Sequence, residues 1–186
     1  DVIGDGKLDI INEAEVPSII YKTFTSLGLE RFKIRINNRK VLNGFFAILG
    51  LTDKAGDVMR TIDKLEKIGR DKVIQILTED CAVAAEAAGA LLDTLEAADP
   101  MAALEGLRGK DALLDQGIEE LSTVVRYMGA FGVPQDHFAV DLTIARGLDY
   151  YTGTVYETVM TDHPEIGSIC SGGRYDNLAE YYTDKQ

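Results

Sequence analysis

In the sequence Arg31-Phe32-Lys33-Ile34-Arg35-Ile36-Asn37, polar and apolar residues alternate strictly. Successive side chains of a β-strand point to opposite faces of a sheet, so this spacing predicts a strand. Phe32, Ile34 and Ile36 are expected to face a hydrophobic core, and the basic residues between them are expected to form an outer face. The chain therefore contains at least one half-buried strand.

Helices are predicted on both sides of this strand. Before it, apolar residues recur at helical spacing, with a capping box of Asn12 and Glu15 at the start and Gly28 at the end. After it, Asn37 and Asn38 turn the chain into a second helix. The apolar positions are Val16, Ile19, Ile20, Phe24 and Leu27 in the first helix, and Val41, Leu42, Phe45, Phe46 and Leu49 in the second.

The middle of the chain has a different pattern. Residues 53–131 lack strand signals and are rich in helix formers, which predicts helices over 80–95 and 111–128 and shorter ones over 53–68 and 72–77. Strand signals return at 138–142, 154–160 and 166–170, and a further helix is expected near Tyr175. The pattern fits an all-α module inserted into an α+β domain, and it also fits simple continuation of one α+β core.

Composition narrows the class of protein. Apolar residues make up 46% of the 186 and charged residues 27%, as in ordinary soluble domains. With no membrane-length apolar run, no signal peptide and two cysteines, we expect a cytoplasmic protein with no membrane partner. The net charge of −12 argues against a protein that mainly grips nucleic acid. Any RNA contact is expected at a local basic patch, namely Arg31, Lys33, Arg35, Arg39 and Lys40.

Two segments place an arginine beside glycine and tyrosine: Ala145-Arg146-Gly147-Leu148-Asp149-Tyr150-Tyr151-Thr152-Gly153-Thr154-Val155 and Ser171-Gly172-Gly173-Arg174-Tyr175-Asp176. A guanidinium binds phosphate or carboxylate oxygens in pairs, glycine permits close backbone approach, and a tyrosine hydroxyl can donate to a nitrogen. The segments therefore predict a site for a small polar, anionic ligand. Neither a metal-ligand set nor a phosphate-cradling or dinucleotide-binding glycine motif occurs, so no metal site and no tightly bound cofactor are expected.

The two segments resemble the two histidine-specific signatures of the histidyl-tRNA synthetase family, class II ligases that join histidine to its tRNA. The stretch from Phe32 to Leu42 is similar to the family's segment after motif 2. The resemblance implies an α+β fold, in which part of a class II antiparallel sheet with flanking helices is interrupted by an all-α insertion domain. It implies catalytic core at 1–52, helical insertion at 53–134, and catalytic core with the histidine signatures at 135–186.

The resemblance also implies roles for individual residues. Arg146 is expected to hold the α-phosphate of ATP and the carboxylate of histidine during adenylation, and Mg²⁺ accompanies the ATP phosphates. Tyr151 is expected to contact one ring nitrogen of histidine, and Asp1 the other. The remaining residues implied for the histidine pocket are Tyr150, Gly172, Gly173 and Tyr175, although packing is an alternative role for Tyr150, as it is for Tyr156.

The chain lacks other parts of the family pattern. Motif 1, through which the family forms homodimers, and the body of motif 2 are absent, and motif 3 and an anticodon-binding domain are expected after Gln186. Both ends look cut from something longer, so residues 1–186 alone are expected to be inactive in a parent enzyme that uses histidine, ATP and tRNA(His). One alternative is the synthetase-like regulatory subunit of ATP phosphoribosyltransferase in histidine biosynthesis. A helical interaction module without chemistry leaves both segments unexplained.

Overall fold

A computed structural model describes residues 1–4, 6–145 and 150–177. Its helices and strands, in chain order, are α1 (Ile11–Ser26), β1 (Phe32–Asn38), α2 (Arg39–Ile48), α3 (Ala55–Ile62), α4 (Leu65–Ile68), α5 (Arg70–Glu79), α6 (Ala85–Leu95), α7 (Pro100–Glu105), α8 (Ala112–Ala130), β2 (Phe138–Val140), β3 (Thr154–Met160) and β4 (Ser168–Gly173). The predicted start of a helix near Tyr175 falls largely outside the described residues.

The four strands form one sheet in the order β2-β1-β3-β4. The pairings β1–β3 and β3–β4 are antiparallel, as the resemblance implies, with Phe32 opposite Met160 at one end of β1 and Asn38 opposite Thr154 at the other. The pairing β1–β2 is parallel, which the expectation of an antiparallel sheet missed. Parallel neighbours need a long crossover, and here the helical stretch between β1 and β2 supplies it.

The apolar side of β1 lies as the alternation predicts. Phe32, Ile34 and Ile36 are at most 2% exposed and belong to one hydrophobic cluster that reaches from α1 to β3. The prediction of a basic outer face is wrong for Arg35, whose side chain is only 13% exposed. Carboxylates from three other segments surround its guanidinium, as described below.

Helices α2 and α8 pack backbone against backbone. A Cβ at Gly44 of α2 would overlap the backbone nitrogen of Leu114, and a Cβ at Gly117 of α8 would lie 2.5 Å from the backbone nitrogen of Val41. No real Cβ comes this close to backbone, so both positions need glycine. The last helix of the predicted insertion therefore packs directly on the first flank of the chain.

Between residues 53 and 134, all of which the structure describes, the regular elements are helices joined by short connections, and no strand occurs. The helix predicted over 80–95 begins later than expected, at Ala85, because residues 80–84 form a break after α5 ends at Glu79. Ala82 in the break has a positive φ of 50°, and its carbonyl accepts from Lys54 Nζ at 2.5 Å. The division at residues 53 and 134 stays a prediction, since the hydrophobic cluster is continuous across it.

The start of α1 differs from the predicted capping box. The helix begins at Ile11, so Asn12 and Glu15 already lie inside it. The carboxylate of Asp9 accepts from the backbone N–H of Ile11 at 3.1 Å and takes the capping role instead. Within the described residues, no helix is both long and apolar enough to cross a membrane.

Candidate functional site

Three tyrosine rings from two separate segments meet at one end of the sheet. Tyr150 and Tyr151 precede β3, and Tyr175 follows β4. The ring centroids are 4.4 Å apart for Tyr150 and Tyr151, 5.0 Å for Tyr151 and Tyr175, and 5.4 Å for Tyr150 and Tyr175. The antiparallel register sets Val155 opposite Gly173, which brings the start of β3 beside the end of β4. The two predicted segments thus converge in one tyrosine cluster, formed by Tyr150, Tyr151 and Tyr175.

Gly173 makes room for this cluster. A Cβ at Gly173 would lie 2.6 Å from Cδ1 and 2.8 Å from Cε1 of Tyr151, so any other residue would displace the ring. At the neighbouring Gly172, a Cβ would meet nothing within 4 Å. Space therefore requires glycine at position 173, where the backbone of β4 forms the surface under Tyr151, and not at position 172.

The hydroxyl of Tyr151 stays protonated at neutral pH. Burial first, and then the phenol groups of Tyr150 and Tyr175, raise the pKa of Tyr151 well above its ordinary value. The cluster nevertheless opens to solvent, because Tyr150 is 47% and Tyr175 39% exposed. The rim of the cluster therefore faces solvent, and a protonated Tyr151 hydroxyl is able to donate a hydrogen bond to an acceptor nitrogen.

Arg174 is engaged inside the protein. Its Nη1 pairs with Glu13 Oε1 at 2.6 Å, its Nε with Asp176 Oδ1 at 2.7 Å, and its Nη2 donates to the carbonyl of Leu8 at 3.2 Å. The sequence suggested that both arginine segments could clamp an anionic ligand. Three of the five N–H groups of Arg174 donate to protein oxygens, so its guanidinium is held within the protein. Its partner Glu13 gave no signal in the sequence, since it lies 161 residues away.

Two side chains of β1 hold the backbone that leads toward residue 146. The buried amide of Asn37 donates to the carbonyls of Leu142 at 3.1 Å and Ile144 at 3.0 Å. Arg35 Nε donates to Asp141 Oδ2 at 2.7 Å. The alternation in β1 showed which face these residues occupy but not their partners, so sequence reasoning missed this role.

The predicted basic patch is largely internal. Arg35 also pairs with Glu66 at 2.5 Å and lies 3.5 Å from Glu157. Burial opposes its charge, but Asp141 and Glu66 outweigh that penalty and raise the pKa of Arg35 further above its ordinary value. Arg39 is 4% exposed, and Lys40 pairs with Glu120 of α8. Three of the five patch residues are therefore engaged inside the protein, whereas Arg31 is exposed and Lys33 is half-buried.

The two remaining predicted site residues differ in what the structure describes of them. Arg146 lies outside the described residues. Asp1 is exposed, and across residues 1–4, 6–145 and 150–177 no hydrogen bond, ion pair or ring contact joins it to the tyrosine cluster. In the same part of the chain, no three or more His, Cys, Asp or Glu side chains come together in a way that could hold a metal ion.

Comparison with known proteins places this arrangement in a family. The profile described as histidyl-tRNA synthetase matches residues 2–186. The histidine–tRNA ligase of Clostridium tetani (strain Massachusetts / E88) is 50% identical over 190 residues, which cover 100% of this chain and 43% of that protein. The crystal structure of histidyl-tRNA synthetase from Nostoc sp. PCC 7120 matches with a TM-score of 0.91 at 40% identity, over 95% of this chain and 43% of that one.

A more distant structure shares the fold alone. An ATP phosphoribosyltransferase regulatory subunit/histidyl-tRNA synthetase from Bacillus halodurans matches with a TM-score of 0.76 at 22% identity, over 96% of this chain and 46% of that one. The chain spans less than half the length of each relative named here. Because the family profile and the identity to the ligase cover essentially all of its residues, the chain belongs to the histidyl-tRNA synthetase family.

Proposed function

We propose that residues 1–186 form the central part of the catalytic domain of a histidine–tRNA ligase. The parent enzyme activates histidine with ATP to histidyl-adenylate and transfers histidine to tRNA(His). The observation that carries this proposal is the tyrosine cluster, in which both histidine signatures meet over Gly173. The parent acts as a cytoplasmic homodimer, as the resemblance implies.

The tyrosine cluster suits recognition of an imidazole. A neutral imidazole has one N–H donor and one acceptor nitrogen, and a site that pairs both rejects side chains lacking them. The protonated hydroxyl of Tyr151 serves the acceptor nitrogen. Asp1 accepts from the N–H, and Tyr150, Tyr175 and the backbone of Gly172 and Gly173 line the rest of the pocket.

Activation of histidine concentrates negative charge on the α-phosphoryl oxygens of ATP. A fixed cation at that point stabilises the transition state, and loss of one such group costs about 100-fold to 1,000-fold in rate. We assign this role to Arg146. The anchoring of residues 141–145 by Asn37 and Arg35 supports the assignment, because it fixes the backbone immediately before Arg146. Mg²⁺ enters with the ATP phosphates as part of the substrate.

Histidine-dependent ATP–pyrophosphate exchange tests the proposal. We expect exchange by the full-length protein that carries residues 1–186 and none by residues 1–186 alone. Tyr151→Phe should raise the KM for histidine, whereas Tyr127→Phe on α8 should not. Exchange that no amino acid stimulates, or that another amino acid stimulates better than histidine, would overturn the proposal.

A second assay addresses the regulatory-subunit alternative. The full-length protein should charge tRNA(His) and should leave the rate of an ATP phosphoribosyltransferase catalytic subunit unchanged. The structure that carries the name of that regulatory subunit is 22% identical to this chain and shares the fold alone, so it gives the alternative no further support. The opposite pair of results would favour the regulatory subunit.

A further inference from the structure

Helix α1 contains a proline whose effect reaches β3. Pro17 has no N–H, so the carbonyl of Glu13, four residues earlier, loses its usual helical partner. The hydroxyl of Tyr156 on β3 donates to that carbonyl instead. Tyr156 is 5% exposed, and burial, followed by the charge of Glu13, raises its pKa well above the ordinary value. The hydroxyl thus remains a donor, and the main chain of α1 is fixed to the sheet at Glu13.

The side chain of Glu13 then joins the two segments that carry the tyrosine cluster. Its carboxylate is buried, with Oε1 paired to Arg174 at 2.6 Å and Oε2 accepting from the backbone N–H of Thr154 at 3.2 Å. A Cβ at Gly153 would lie 3.0 Å from Cδ of Arg174 and 3.4 Å from Oε2 of Glu13, so glycine allows this close approach. One carboxylate therefore contacts the strand start after Tyr151 and the loop that carries Tyr175.

The backbone around Arg174 is fixed in the same way. The N–H of Thr152 donates to the carbonyl of Arg174 at 2.8 Å, and the N–H of Arg174 donates to the carbonyl of Thr154 at 2.9 Å. Burial opposes the charge of Asp176, but hydrogen bonds from Thr152 and Arg174 prevail and lower the pKa of that carboxyl group. The guanidinium of Arg174 thus lies between two carboxyl groups, Asp176 on its own loop and Glu13 on α1.

We propose that Glu13 is a positioning residue for histidine binding. It does not contact the tyrosine rings. It holds Arg174, and through Arg174 it holds Gly173 and Tyr175 in place against Tyr151. This inference rests on the proposed function, since it assigns the tyrosine cluster to histidine. Its consequence is selective: loss of the carboxylate loosens the histidine pocket and leaves the use of ATP intact.

Kinetics of the full-length protein test this selectivity. We expect Glu13→Gln to raise the KM for histidine roughly tenfold in pyrophosphate exchange, with kcat and the KM for ATP within about twofold of wild type. Glu13→Asp retains the charge on a shorter side chain and should recover part of the loss. The matched control is Glu15→Gln, an exposed carboxylate two residues along α1. A fall in kcat with an unchanged KM for histidine, or equal effects of Glu13→Gln and Glu15→Gln, would overturn the proposal.

Tyrosine-selective ¹³C NMR supplies a readout that does not depend on catalysis. With the rings of Tyr150, Tyr151 and Tyr175 assigned through Tyr→Phe variants, Glu13→Gln should shift the resonances of Tyr151 and Tyr175, and Glu15→Gln should not. If the wild-type protein fails to activate histidine, the proposed function fails, and these shifts alone decide whether Glu13 holds the loop. If Glu13→Gln does not fold, Glu13→Asp provides both readouts, with smaller changes of the same kind. Unshifted ring resonances in a folded variant would overturn the inference.

Discussion

The sheet with α2 and α8 differs from helices α3–α7 in how its polar groups are held. In the sheet region, buried polar side chains connect segments more than 100 residues apart, as in the pairs Asn37 with Leu142 and Arg35 with Asp141. In α3–α7, ion pairs such as Arg60 with Asp57, within one helical turn, and Arg70 with Asp93 are exposed. The interior of α3–α7 is apolar, with Leu77, Leu91 and Leu92 fully buried.

This difference indicates which region tolerates little displacement of its side chains. Long-range buried polar contacts tolerate little displacement, because each unpaired group keeps its desolvation cost. An apolar interior with exposed local ion pairs can absorb small changes by repacking. The tyrosine cluster lies on the sheet region, so the more strictly held part of the molecule carries the candidate site.

The largest difference in stability between the two regions is expected when one glycine in a helix of each region is replaced by alanine. Gly117→Ala should lower the free energy of unfolding by more than about 3 kcal/mol, because the methyl group forces α8 away from α2. A Cβ at Gly89 in α6 would meet nothing within 4 Å, so Gly89→Ala should raise the free energy of unfolding by roughly 0.5–1 kcal/mol. Denaturant unfolding of both variants measures the two changes. Losses of similar size would show that the two regions are packed alike.

Two arginines, each with several carboxylate partners, give the next contrast. Arg35→Gln should cost about 3 kcal/mol, because it removes a largely buried cation that pairs with Asp141 and lies beside Glu157, which is only 7% exposed. Arg70 pairs with Asp93 and Glu96 but is 36% exposed, so Arg70→Gln should cost less than about 1 kcal/mol. Unfolding at low and high salt is the measurement, and only the smaller effect should disappear at high salt. A larger loss of stability for Arg70→Gln than for Arg35→Gln would contradict this prediction.

A buried amide gives the smallest of the three contrasts. Asn37→Ala should cost about 2 kcal/mol, because the carbonyls of Leu142 and Ile144 lose their donor in a dry environment. It should also slow pyrophosphate exchange by the full-length protein, since residues 141–145 lead to Arg146. The exposed Gln75, whose amide donates to Glu79 at 2.9 Å, is the control, and Gln75→Ala should stay within about 0.5 kcal/mol of wild type. If the Asn37→Ala variant is destabilised but keeps its exchange rate, the amide of Asn37 contributes to stability and not to the site.

Much of the fold was predictable from local pattern. The alternation in β1 and the helical spacing in α2 and α8 gave both the type and the approximate bounds of these elements, because apolar periodicity reports which side of an element is buried. The separation of α5 from α6 was predicted, but the start of α6 was placed five residues before Ala85, since the left-handed Ala82 has no composition signal such as glycine. The parallel pairing of β2 was also missed, because it depends on the path of the whole crossover.

The candidate site was predictable only in its outline. The resemblance to the two histidine signatures implied one pocket with Tyr150, Tyr151, Gly173 and Tyr175, and these residues lie together. The pattern did not reveal that Arg174 pairs internally, because its partner Glu13 lies on a distant helix. Residue types indicate what chemistry a side chain can do, whereas its partners depend on tertiary contacts that a single sequence does not contain.

The junction of α2 and α8 has a consequence for how this architecture can vary. Because Gly44 lies against Leu114 at that junction, the segment between the two helices starts and ends at nearly the same place. In the unfolded chain, the entropy cost of closing such a segment rises by only about 0.6 kcal/mol for each doubling of its length. Lengthening a surface loop within it should therefore cost little, whereas removing its helices would expose apolar residues of the cluster that they share with the sheet.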